Sequence, residues 1–154
     1  MKTILAPVDF SGATDAVIAE TAALAQAVDA QVVLMTVIQP PVITSEYAAL
    51  MENMAEVVAA GEKTAAERLA KLQTKLEAEK ITVDTAQVNG APIRAIIDQA
   101  KKCEADYIVM GSHGHTALYD LLVGSTTHGV LMRATCPVVI VPATKPAPAK
   151  KKKT

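Results

Sequence analysis

Four short apolar runs constrain this chain more than any other feature: residues 3–8, Gln31 to Ile38, Asp106 to Met110 and Pro137 to Val141. None shows the strict apolar–polar alternation of a strand with one wet face, where successive side chains point to opposite sides. Such runs fit strands buried on both faces, the environment of a parallel sheet. Parallel neighbours cannot be joined by a tight hairpin, so the chain between runs must cross over, usually as a helix.

The intervening segments read that way. Ser11 is expected to cap a helix through about Val28, in which Ala16, Val17, Ala23, Leu24 and Ala27 recur at helical spacing. Pro40-Pro41 stops the second run. From Ser45 to Lys80 the pattern is helical, with Leu69, Leu72 and Leu76 on one face and Gly61 as a break or offset. Ile81 to Val88 alternates, as an exposed or edge strand does. Asn89-Gly90 is a turn, and Pro92 suits the first turn of a helix through about Lys102. A glycine- and hydroxyl-rich loop then leads to a helix over about Ser125 to Arg133. The expectation is a single doubly wound α/β domain, five parallel strands with helices on both faces, over residues 1–142. Residues 143–154, rich in Pro, Ala and Lys, are expected to be a disordered tail.

Charge narrows the partners. The net charge of −1 conceals an asymmetry, because five of the fifteen basic residues, Lys145 and Lys150 to Lys153, lie in the last ten positions. The first 144 residues hold the other ten against all sixteen acids, a net of −6. Nucleic-acid faces need clustered cations and often stacking aromatics, whereas here aromatics make up 3% and Trp is absent. No nucleic-acid partner is expected. No apolar run of about 18 residues lacks a charge, so no membrane insertion is expected. Pro7 and Asp9 come too early for a signal peptide. Cys103 and Cys136 lack paired-ligand spacing and read as structural thiols in a reducing compartment, which points to the cytoplasm.

Open α/β sheets bind ligands beyond the carboxyl ends of their strands, where the winding reverses. Two strand ends carry chemistry. The first delivers Pro7-Val8-Asp9-Phe10-Ser11, and the fourth Met110-Gly111-Ser112-His113-Gly114, followed after nine residues by Gly124-Ser125-Thr126. Gly111 and Gly114 can take positive φ, which lets successive N–H groups turn inward as an anion nest. Gly124 permits close backbone approach, and Ser125 and Thr126 add hydroxyls and N–H groups at a helix start. The pattern is a phosphate cradle. It lacks the Gly-Lys-Ser/Thr of a Walker loop, and its third glycine falls too late for a dinucleotide fingerprint.

These residues resemble the universal stress protein family. The match lies in the G-x2-G-x9-G-[ST] spacing, in Ile4 to Ser11 and in Cys136 to Val141, and it extends over residues 1–142. The resemblance implies an adenine nucleotide alpha hydrolase-like fold with strand order 3-2-1-4-5, and ATP as ligand, with Mg²⁺ or Mn²⁺ as the accompanying ion. By position, Pro7, Val8 and Asp9 would lie near the adenosine and Val37 would hold the base. Met110, Gly111, Ser112, His113 and Gly114 would cradle ribose and phosphates, and Gly124, Ser125 and Thr126 would complete the phosphate site. The resemblance also implies a homodimer through Val138 to Val141. Many ATP-binding members carry Arg after Gly114, where this chain has His115; histidine is mostly neutral near pH 7, which implies weaker or more pH-dependent phosphate affinity.

Blander readings stand beside these. Asp9 could serve only as a helix cap, His113 and His115 as loop residues, and His128 as a surface or dimer residue. No Lys or Arg lies inside the motif and no catalytic constellation is readable, so a nucleotide-responsive regulator is favoured over an enzyme. The alternatives are a stress protein that works through protein contacts without nucleotide, and a weak ATPase or autophosphorylating protein.

Overall fold

A computed structural model describes residues 1–40, 51–113 and 123–142. In chain order the elements are β1 (Lys2–Pro7), α1 (Thr14–Val28), β2 (Ala30–Ile38), α2 (Met51–Glu77), β3 (Val83–Asn89), α3 (Pro92–Lys102), β4 (Tyr107–Gly111), α4 (Ser125–Leu131) and β5 (Val138–Val141). The strands form one all-parallel sheet of order β3-β2-β1-β4-β5.

The non-alternating runs are explained by two cores, one on each face. Ile4, Ala6 and Val8 of β1 join Val32 and Leu34 of β2 against Val17 and Ile18 of α1 and Leu69 and Leu76 of α2. The intervening residues Leu5, Val33, Met35, Ile108 and Met110 pack with Ala95 and Ile96 of α3 and Val130 of α4. Both faces of the central strands therefore demand apolar side chains. β3 lies at a sheet edge, with Asp84, Thr85 and Gln87 exposed, which accounts for its alternating sequence.

Three local expectations are corrected. Ser11 does not cap α1; the cap position is Ala13, with no side-chain bond to the helix. Instead Asp9 Oδ1 accepts the Ser11 N–H at 3.0 Å and Thr14 N–H donates to Ser11 O at 3.1 Å, a turn that delays the helix. Gly61 does not break α2. It is exposed with open space around its Cα, and one glycine costs a helix only about 1 kcal/mol, which the surrounding Ala, Glu and Lys offset. α4 ends at Leu131 because Arg133 N–H reaches back three residues to Val130 O at 3.0 Å, tightening the chain out of the helix.

Asn89-Gly90 turns as expected, Gly90 adopting φ 144°, and Pro92 opens α3. Cys103 and Cys136 are free and half-buried, and burial pushes both thiols up from their ordinary range. No helix among the described residues is long and apolar enough to cross a membrane. The expected helix start at Ser45 and the tail over 143–154 lie outside the described residues.

The seating of α4 on α3 depends on Gly129. A Cβ there would overlap Ile93 Cδ1 and come within 2.9 Å of Ile93 Cγ1. Alanine gains about 1 kcal/mol in helix propensity, but overpacking typically costs about 1–3 kcal/mol. Ile93 is β-branched and helical, with little χ1 freedom to retreat. Gly129→Ala is expected to lower stability by about 1–2 kcal/mol, by balance of those terms. Urea unfolding measures it, and equal or greater stability would show that Ile93 repacks freely.

Candidate functional site

β1 is followed by α1 on one face of the sheet, while the chain leaving β4 returns through α4 on the other. The connections diverge between two paired strands, which opens a crevice at their carboxyl ends. A cavity of about 680 Å³ occupies it, within the size range of small-molecule sites.

Most of the residues singled out in the sequence meet there. Pro7, Val8 and Asp9 arrive from β1, Val37 from β2, Met110, Gly111 and His113 from β4, and Gly124, Ser125 and Thr126 from the start of α4. Ser112 does not line the cavity; it is buried behind the loop, its Oγ 3.1 Å from His113 Nδ1. Gly114 and His115 lie outside the described residues. His128 is exposed on α4.

The end of β1 is pinned to β2: Val8 N–H donates to Met35 O at 2.8 Å, and the buried Thr36 hydroxyl donates to Val8 O at 2.9 Å. This anchors Asp9 at the mouth of the crevice. Its neighbour Phe10 has φ 58°, a left-handed conformation that bulky residues rarely adopt. The Arg68 guanidinium of α2 sits 5.5 Å from the centre of the Phe10 ring, a distance suited to cation–π attraction. The strained turn is thus held from α2 at the site it serves.

On the other side, hydrogen bonds join both roots of the glycine loop. Ser112 N–H donates to Val141 O at 2.8 Å, Gly124 N–H to Ser112 O at 2.7 Å, and the Thr127 hydroxyl to Gly111 O at 2.7 Å. The glycines matter here for space. Gly111 does not adopt positive φ; among the described glycines only Gly90 does. A Cβ at Gly111 would press His113 O at 3.3 Å, and one at Gly124 would press Ser112 O at 3.3 Å. The first helical bond of α4 runs from His128 N–H to Gly124 O. The preceding N–H groups, from Ser125 to Thr127, therefore lack an intrahelical acceptor.

Among the described lining residues Asp9 is the one carboxylate, and there is no Lys or Arg. No group of three or more His, Cys, Asp or Glu suited to a metal ion occurs among the described residues. The wall also includes Phe10, Ser11, Thr14, Ile38, Pro92 and Ile96, which the sequence reading did not assign to a site. Ser11 and Thr14 follow Asp9 closely and were within reach of that reading. Pro92 and Ile96 carry no local signal, since only the packing of α3 brings them to the crevice.

Fold and crevice together define a doubly wound α/β protein with a cavity at its switch point. The universal stress protein family model matches residues 1–142, and the chain belongs to that family. It is 33% identical over 140 residues to a universal stress protein of Mycolicibacterium smegmatis, covering 90% of this chain and 47% of that protein. The chain spans less than half the length of the curated relatives compared most directly with it, including MJ0531 of Methanocaldococcus jannaschii, of which 44% is covered. Among solved structures, MJ0577 from the same archaeon superposes with a TM-score of 0.81 at 28% identity, over 94% of this chain and 98% of that one. A universal stress protein solved in complex with cAMP has a TM-score of 0.69 at 21% identity, over 93% of this chain and 98% of that one.

Thr127 is 3% exposed, and its hydroxyl satisfies the carbonyl at the end of β4. Thr127→Val keeps the shape and removes that donor, so a loss of about 1–3 kcal/mol is expected. Chemical denaturation reads it, and an unchanged midpoint would mean that the bond does not hold the loop root.

Proposed function

We propose that this chain binds an adenine nucleotide, ATP in the first instance, and acts as a nucleotide-responsive regulator in stress response. One observation carries the reading: the cavity at the β1–β4 switch point is lined by Asp9, Val37, Gly111, Gly124, Ser125 and Thr126 together, residues drawn from four separate elements and their flanking turns. Its chemistry suits such a ligand. Val37 and Ile38 offer an apolar seat for a base at the β2 end. Asp9 offers an acceptor for sugar hydroxyls or a base amino group. At the opposite end, backbone N–H groups and the hydroxyls of Ser125 and Thr126 stand beside a loop root that the glycines let pack closely. A divalent ion accompanying the phosphates would be carried largely by phosphate oxygens and water, Asp9 being the one carboxylate of the described wall. The universal stress protein solved with cAMP has a ligand of this chemical class, and its likeness to this chain bears on the fold.

The wall supplies donors but no Lys or Arg to neutralise transition-state charge, so any phosphoryl transfer would be slow. Residues 1–142 are proposed as the nucleotide-binding domain and 143–154 as an appended basic tail. A cytoplasmic setting fits the free thiols.

We also propose a homodimer through β5. Two features support it. β5 is a sheet edge with the sequence Val-Val-Ile-Val and none of the charges that protect exposed edges, in contrast to Asp84 on β3. At the end of α4, which precedes β5 in the chain, Leu131 and Met132 are 46% and 69% exposed.

Calorimetric titration with Mg·ATP is expected to show one saturable site per chain. Gly124→Val, which drives a side chain against Ser112 O, is expected to remove binding while the far-UV spectrum stays native. Absence of heat at millimolar nucleotide in the parent chain sinks the nucleotide reading. Ile140 is half-buried at the β5 edge, so Ile140→Asp is expected to convert a dimer to a monomer in sedimentation velocity. A parent chain that sediments as a monomer at high concentration refutes the dimer.

A further inference from the structure

Three buried polar atoms have no hydrogen-bond partner among the described residues: Ser11 Oγ, Thr14 Oγ1 and His113 Nε2. All three residues line the same cavity. Buried polar groups are almost always paired, because leaving one unmade is costly. The buried hydroxyls of Thr21, Thr36 and Thr127 follow the rule, each donating to a backbone carbonyl. Ser11 and Thr14 break it, and neither hydroxyl caps α1. Three exceptions around one cavity mark a place where a ligand completes the hydrogen bonding.

Their position within the cavity selects the part of the ligand. A Cβ on Gly111 would lie 3.4 Å from Ala13 Cβ and 3.6 Å from Val17 Cγ2, so the first turn of α1 abuts the end of β4. A Cβ on Gly124 would lie 3.9 Å from His113 Cδ2. Ala13, which lies between Ser11 and Thr14 in the chain, thus meets the end of β4, and His113 meets Gly124, so the β1–α1 turn stands beside the start of the glycine loop. Their chemistry is that of donors. The Ser112 hydroxyl can donate to His113 Nδ1 across 3.1 Å, and in that tautomer Nε2 carries the outward hydrogen. Each hydroxyl adds one more. A phosphate group presents several acceptor lone pairs and no hydrogens, so a single group can satisfy all three donors. The neighbouring carboxylate is Asp9, whose Oδ1 accepts Ser11 N–H at 3.0 Å.

We propose that Ser11, Thr14 and His113 form a second phosphate-binding arm, supplied largely by the β1–α1 turn and acting with the glycine loop, so that the site favours ligands by their phosphate chain. The inference rests on the nucleotide reading above and names which part of the ligand this wall holds.

The test uses the full chain and the double variant Ser11→Ala, Thr14→Val, each titrated calorimetrically with Mg·ATP, adenosine and inorganic tripolyphosphate. Loss of hydrogen bonds to a charged group is expected to weaken ATP and tripolyphosphate by at least about tenfold and to leave adenosine within about twofold. Thr14→Ser, which keeps the hydroxyl, is expected to retain parent affinity for both. Unchanged ATP affinity in the double variant overturns the proposal, because water alone would then satisfy the hydroxyls. An equal loss for adenosine also overturns it, by moving them to the sugar. A parent chain that binds tripolyphosphate but neither ATP nor adenosine refutes the nucleotide reading; the arm then stands or falls on whether the double variant loses tripolyphosphate. A parent chain that binds none of the three overturns both.

Discussion

The parallel pairing of β1 with β2 on one side and β4 on the other is the constraint on which the rest of this structure depends. It places Ile4, Leu5 and Ala6 at 0% exposure, each demanding an apolar partner above or below the sheet. It also fixes where the winding reverses, since β2 and β3 extend the sheet one way and β4 and β5 the other. The reversal sends α1 and α4 to opposite faces and leaves the crevice between the ends of β1 and β4. The pinning bonds from Met35, Thr36 and Val141 then hold those two strand ends in register, so the crevice has a firm floor.

The proposed ligand is a polyanion and the body is acidic, and magnitudes resolve that tension. The net charge of −6 over the first 144 residues acts through solvent and is screened over about 8 Å at physiological salt. Backbone N–H groups and hydroxyls act at hydrogen-bond distance, inside the cavity, where water competes less. Close approach of backbone to backbone shapes that end of the cavity: a Cβ at Gly111 or Gly124 would press His113 O or Ser112 O at 3.3 Å. On the proposed nucleotide reading, a described wall without Lys or Arg would hold phosphates through N–H groups and hydroxyls.

Such a site is bought with stability. Phe10 in a left-handed conformation and three unpaired buried polar atoms each cost on the order of 1–3 kcal/mol. A domain of ordinary stability has only about 5–15 kcal/mol in total. These costs concentrate at one end of the sheet, while in the core beneath the buried hydroxyls of Thr21 and Thr36 are paired to backbone carbonyls. A ligand that meets the unpaired atoms would recover part of the loss, which couples occupancy of the cavity to the rigidity of the turns around it.

By itself, the sequence determined the number of strands and their succession along the chain, the two covered faces and the two strand ends that meet at the crevice. Those features are local: a strand buried on both sides must be apolar throughout, and close backbone approach leaves its trace as glycine at fixed spacing. It misled at Ser11, read as a cap, at Gly61, read as a break, and at Gly111, assigned to positive φ. In each case the residue type permits several roles, and the partner available in space selects one. Asp9 takes the Ser11 N–H and shifts the helix start, open solvent lets Gly61 stay helical, and the proximity of His113 O explains Gly111. Only the tertiary structure could bring Thr14, Pro92 and Ile96 to the same wall as Asp9 and Gly124. A cavity is bounded by residues far apart in the chain, and no spacing along the chain records which atoms face it or which of them are left without a partner.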